Sequence, residues 1–150
     1  MFELEDKILC ASRIMVNILA ESLLHEKVHG LSVPQFRILD MISQGADKPA
    51  EIASMLDVTP SALTWTLEKL ENMGLLVRGN SKSDRRRVVL MLTDPGVDVV
   101  HRVNAHRRDL LGRVLRGMDS SEVSRLESAL GSFSDSYMSL KAGPSAGKDA

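Results

Sequence analysis

The chain has 150 residues, 19 Lys+Arg against 20 Asp+Glu, a net charge of −1 and 43% hydrophobic residues. That length suits one domain with a real core, and these fractions are those of a soluble globular protein, which excludes wholesale disorder. A single cysteine, Cys10, excludes an internal disulfide framework and a Cys-cluster zinc site. No apolar run is expected to reach the roughly 18 residues of a membrane span. The acidic start, MFELEDK, lacks the basic region of a signal peptide, so the expectation is a cytoplasmic protein without membrane or cofactor.

The near-neutral total hides an uneven distribution. Residues 1–57 carry 5 basic and 9 acidic side chains, residues 58–117 carry 11 and 6, and residues 118–150 carry 3 and 5. Nucleic-acid binding depends on local positive potential, because each Lys or Arg near a phosphate releases counterions. An isoelectric point near 6.4 is therefore compatible with a DNA-binding middle segment.

In chain order, a first helix is expected over residues 3–28, from the spacing of Leu4, Ile8, Ala11, Met15, Ile18 and Ser22. Gly30 ends it. Ser32 and Pro34 start a second helix with Phe36, Ile38, Leu39, Met41 and Ile42 inward, stopped by Gly45. Pro49 opens a short third helix with Ile52, Ala53 and Leu56 inward. Thr59 with Pro60 then caps a fourth, running to about Met73 and closed by Gly74. Leu75–Val77 and Val88–Leu92 are β-prone runs around a polar tip, which is a hairpin signature. Thr93 caps a fifth helix carrying Val97, Val100, Val103, Leu110, Leu111, Val114 and Leu115. Asp119 or Ser120, with Glu122, caps a sixth, whose apolar positions Val123, Leu126, Leu130, Phe133, Tyr137 and Leu140 are spaced 3-4-3-4-3. The fold class is thus mainly α with a small β-hairpin wing. The boundaries read as a winged helix-turn-helix over 31–94, a helical dimerisation region over 1–30 and 95–141, and a disordered tail over 142–150.

Three short helices, a sharp turn before the last of them and then a hairpin follow the order of a winged helix-turn-helix. In the fourth helix Leu63, Leu67 and Leu70 line one side, leaving Ser61, Trp65, Glu68 and Asn72 on the other, flanked by Thr64 and Lys69. Ser and Thr donate to phosphates or base edges, and a Trp packs on sugars or a thymine methyl; the plainer alternative is a Trp65 packed against another helix. At the hairpin, Arg85, Arg86 and Arg87 follow Asp84, with Lys82 nearby and Arg78 on the incoming strand. Strand alternation would point Arg86 away from Arg85 and Arg87. Asp84 is placed to pair with a neighbouring Arg and hold the loop, and a loop Arg suits a narrow minor groove. A solvated charged tip is the competing reading.

From Leu31 to Gly96 the chain resembles the multiple-antibiotic-resistance regulator (MarR) family of bacterial transcription factors. The resemblance rests on Leu31-Ser32-Val33-Pro34-Gln35-Phe36, Glu51-Ile52-Ala53, Leu70 to Arg78, Asp84-Arg85-Arg86, and Leu92-Thr93 with Gly96. It implies a homodimer with interlocked terminal helices, a palindromic double-stranded DNA target, and repression relieved by a small-molecule effector. It carries DNA contacts to Ser61, Thr64, Lys69, Arg78, Arg85 and Arg86, with Asp84 orienting the wing. Many members have a basic residue where this chain has Trp65. Independently, the apolar stripes of the first and sixth helices need a partner surface; packing within one monomer is the alternative.

Sensory residues are less defined. Cys10 lies in an apolar stripe, where a lone cysteine is usually inert. His25 and His29 are four apart, a spacing that suits one metal, although surface histidines near a helix end explain it as well and no metal is assigned. His101 and His106, five apart, do not form a pair by themselves. Arg13, His25 and Arg37 are candidates for a small, anionic or aromatic ligand. No phosphate-binding glycine loop, metalloprotease signature or nucleophile elbow is present, so no enzyme is expected. The rival reading is a winged-helix module that binds protein rather than DNA.

Overall fold

Caps written into the sequence start most of the helices. The computed structural model describes residues 2–142; the expected tail at 142–150 lies outside them but for Ala142. Helix α1 spans Phe2–His25, α2 Val33–Ser43, α3 Pro49–Leu56 and α4 Pro60–Asn72. Strands β1 (Leu76–Asn80) and β2 (Val88–Leu92) follow, then α5 (Asp94–Arg116) and α6 (Ser120–Ala142). At α2, Ser32 Oγ accepts from Gln35 N (3.3 Å) while Gln35 Oε1 accepts from Ser32 N (2.8 Å), a reciprocal capping box. At α4, Thr59 Oγ1 accepts from Ala62 N at 3.2 Å, with Pro60 in the first turn. At α6, Asp119 Oδ1 accepts from Ser121 N and Glu122 Oε2 accepts from Asp119 N, both at 3.1 Å.

Helix α1 stops at His25 rather than near residue 28. Lys27 (φ 53°) and Gly30 (φ +80°) take left-handed conformations that turn the chain before Ser32. Asp57, at φ 54° and ψ 47°, makes the equally tight turn from α3 into α4. One membrane expectation needs correcting. Glu3–His25 is long and apolar enough, by length and composition, to cross a membrane, since Arg13 and Glu21 are the only Asp, Glu, Lys or Arg between residues 8 and 25. The same composition serves a core helix, and Ile18, Leu19, Ser22 and Leu23 of its C-terminal half are buried.

The described chain divides into two compact units, one up to Asp109 and one from Leu110. In the first, Phe36, Leu39, Ile52, Leu70, Leu76, Leu90 and Val103 are essentially inaccessible. Each such side chain contributes roughly 1.5–3 kcal/mol by leaving water. The hairpin pairs antiparallel, Leu76 opposite Leu92 through Asn80 opposite Val88. Strand β2 gains a second partner the sequence does not announce: Leu90 N donates to Asp47 O at 2.8 Å, in the segment before α3.

Helix α5 is anchored to the end of α4. Thr93 Oγ1 donates to Gly74 O (2.6 Å) and accepts from Gly96 N (3.1 Å), while Thr93 N donates to Leu75 O (3.2 Å). This contact selects the buried face of α5 as Gly96, Val99, Val100 and Val103. Of the other apolar residues the helix carries, Val97, Val114 and Leu115 are exposed. In the second unit, α6 buries none of its own residues, and Leu130, Phe133, Tyr137 and Leu140 face solvent.

Candidate nucleic-acid interface

Leu63, Leu67 and Leu70 fix the orientation of α4, because all three are buried at 3% exposure or less. Ser61, Thr64, Trp65, Glu68, Lys69 and Asn72 are consequently exposed. Trp65 is 60% accessible, an uncommon display for so large an apolar surface. The alternative of Trp65 packed against another helix of the same chain is therefore not what the fold adopts. Lys69, one turn later, places its Nζ 3.4 Å from the centre of the indole ring. That is a cation–π contact, worth about 0.5–1 kcal/mol at an exposed site.

The wing is built around Asp84. Its Oδ1 accepts from Arg86 N at 3.0 Å, its carbonyl accepts from Arg87 N at 3.0 Å, and its Oδ2 faces Arg87 Nε at 3.4 Å. Ser81 N donates to Arg87 O (2.9 Å), closing the base of the loop. The arginines thus lie in a turn, before β2 begins at Val88, and strand alternation does not describe them. Asp84 contacts Arg87 through its side chain and carbonyl, and the backbone of Arg86 through its side chain. Lys82, Arg85 and Arg86 are exposed and take part in no ion pair among the described residues.

Arg78 differs from them. Its Nε lies 3.2 Å from Glu71 Oε2, each side chain about one-third exposed, so it braces the wing against α4. Glu71 was not singled out in the sequence, because a helical Glu and a strand Arg seven positions apart carry no periodic signal.

The ligand candidates do not converge. Arg37 lines an open groove of about 310 Å³ with Met15, Leu19, Phe36, Asp40 and Arg107, whereas Arg13 and His25 are not among its lining residues. Asp40 there accepts from Asn104 Nδ2 at 2.7 Å and faces Arg107 at 4.0 Å.

His25 belongs elsewhere. Its ring stacks on His106 with centroids 3.9 Å apart. Ser22 Oγ donates to Ile18 O at 2.7 Å, which leaves it to accept from His106 Nδ1 at 3.0 Å. His25 Nδ1 donates to Glu26 Oε1 at 3.1 Å, and Arg102 reaches Glu26 Oε2 at 2.9 Å and Asp98 Oδ2 at 2.8 Å. The hydrogen bond from His25, then that from Arg102, hold the Glu26 carboxyl below its ordinary range. His29 lies past the end of α1, so the four-residue pair is not on one helix face. No group of three or more His, Cys, Asp or Glu suited to a metal occurs among the described residues.

Comparison with known proteins agrees with this geometry. A model of the MarR family matches residues 29–87, from the turn between α1 and α2 to the last wing arginine. The HTH-type transcriptional repressor Rv2887 of Mycobacterium tuberculosis is 36% identical over 107 residues, 69% of this chain and 77% of that protein. The HTH-type transcriptional regulator YkoM of Bacillus subtilis is 29% identical over 119 residues, 77% of this chain and 75% of that protein. The crystal structure of RV1404 from Mycobacterium tuberculosis superposes with a TM-score of 0.77 at 32% identity, covering 90% of this chain and 92% of that one. A capped helix-turn-helix with an outward α4, an arginine wing held by Asp84 and this set of relatives together place the chain in the MarR family of DNA-binding transcription regulators.

Proposed function

We propose that the protein is a ligand-responsive repressor that binds a palindromic operator as a homodimer. The observation that carries this reading is the joint exposure of the outer face of α4 and of a pre-shaped wing whose Lys82, Arg85 and Arg86 have no carboxylate partner among the described residues. Ser61, Thr64, Trp65 and Lys69 enter the major groove, and Arg85 and Arg86 reach the adjoining minor groove or its phosphates. Arg78 and Arg87, each beside a carboxylate, act chiefly by holding the wing in shape. Repression follows the name of the similar Rv2887.

The homodimer is supported by apolar side chains that a single chain leaves in water: Leu4, Ile8 and Leu9 in α1, and Leu130, Phe133 and Leu140 in α6. On this reading, residues 1–30 and 95–141 form the dimerisation region and 31–94 the DNA-binding region. Two copies read half-sites about one helical turn apart, roughly 34 Å. The groove beside Arg37 supports a small anionic effector with an apolar body, because Met15, Leu19 and Phe36 line it together with Arg37, while Arg107 there faces Asp40. Such a ligand acts by favouring a lobe spacing that no longer fits successive major grooves. The protein works in the cytoplasm, where the chromosome is.

Arg86→Ala tests the DNA reading. Operator affinity is expected to fall, and the slope of log affinity against log salt to flatten by about one per lost phosphate contact. Unchanged affinity and slope would favour a winged helix that binds protein.

A further inference from the structure

The exposed indole of α4 is a feature that phosphate binding does not use. Trp65 is the sixth residue of α4 and lies between Ser61, one turn before it, and Lys69, one turn after it. Glu68 is exposed on the same side of the helix. A carboxylate there repels backbone phosphates, so the middle of this face suits base edges, while Ser61 and the wing cations suit the sugar-phosphate backbone. With Lys69 Nζ 3.4 Å from the ring centre, one face of the indole is covered by the ammonium. Trp65 is nonetheless 60% accessible, so much of its surface is left open to a ligand. The major groove offers such an apolar surface one matching group, the 5-methyl of thymine.

We propose that Trp65, held by Lys69, is a specificity-determining residue that reads a thymine methyl group in each half-site. This rests on the DNA-binding reading above and adds the chemical feature that is recognised. Lys69 is a positioning residue here: its ammonium fixes the ring and sits beside it as a point charge for a neighbouring guanine or phosphate.

The test uses full-length protein and a duplex enriched by the wild type from random sequence. Each thymine is replaced in turn by deoxyuridine, which removes only the methyl. At one symmetric position the wild type is expected to lose about fourfold in affinity per half-site, the effect of exposing one methyl-sized group, and about fifteenfold for both. Trp65→Ala should bind the thymine and deoxyuridine duplexes equally, and Trp65→Phe should keep part of the difference. Since Trp65 is the only tryptophan in the chain, its emission gives a second readout. It should change on binding the thymine duplex, and change less with deoxyuridine at the critical position.

A wild type indifferent to deoxyuridine everywhere, or a Trp65→Ala that discriminates as well as the wild type, overturns the proposal and leaves DNA binding intact. Failure to enrich any sequence overturns both.

Discussion

A Cβ on Gly96 would stand 1.9 Å from the carbonyl oxygen of Leu75. Helix propensity alone would make Gly96→Ala stabilising by up to about 1 kcal/mol. The clash decides the sign, because its partner is backbone, held by the hydrogen bond from Thr93 N, and cannot swing away as a side chain would. Gly96→Ala should therefore destabilise, by the roughly 1–3 kcal/mol of an overpacked site or more. Thermal denaturation should show the midpoint falling by about 2–4 °C for each kcal/mol lost in a domain of this size. An unchanged or raised midpoint would mean that α5 is not seated on Leu75 as described. The same contact explains why Leu92-Thr93 and Gly96 form one signature: the threonine ties α5 to the end of α4, and the missing side chain lets the helix approach.

Among the elements, those defined by local chemistry were legible in the sequence. Ser32 and Gln35 announce α2, Thr59 and Pro60 announce α4, and Leu63, Leu67 and Leu70 announce the buried side of α4 and hence its exposed one. What the sequence concealed was set by partners distant along the chain. The inward face of α5 is turned by the Gly96 contact, so Val99 is buried and Val97 is not. The hydrogen bond from Leu90 to Asp47 joins segments with no shared pattern. The four-residue spacing pairs His25 with His29, whereas packing brings it against His106 on α5. Strand alternation does not apply to the wing arginines, because the hydrogen bonds of Asp84 keep them in the turn before β2.

The junction of α1 with α5 makes its own prediction. The Glu26 carboxyl is held below its ordinary range by His25 and Arg102, so its contribution is present above the unfolded-state value and is lost as pH falls through the folded one. Urea midpoints measured from pH 7 down to pH 3 should decline more steeply for the wild type than for Glu26→Gln, with the difference developing from the ordinary carboxylate range downward. Parallel pH profiles would show that the carboxylate does not support this junction.

On the scale of the whole molecule, charge and apolar surface are separated along the chain. The segment from Val58 to Gly117 holds 11 basic and 6 acidic side chains and includes α4 and the wing. The helices at either end, α1 and α6, carry the exposed apolar residues proposed to join two copies. A near-neutral total with a basic centre favours local steering toward DNA without general adhesion to polyanions. Pairing two such centres doubles the phosphate contacts and makes binding depend on the spacing of two half-sites, which is also the property an effector in the Arg37 groove would alter. Competition binding at low ionic strength is the most direct test of the central claim that this surface reads DNA sequence: a duplex enriched from the source genome is set against random-sequence competitor. A preference of about a thousandfold or more is expected for a specific regulator, and equal affinity for the two would contradict it.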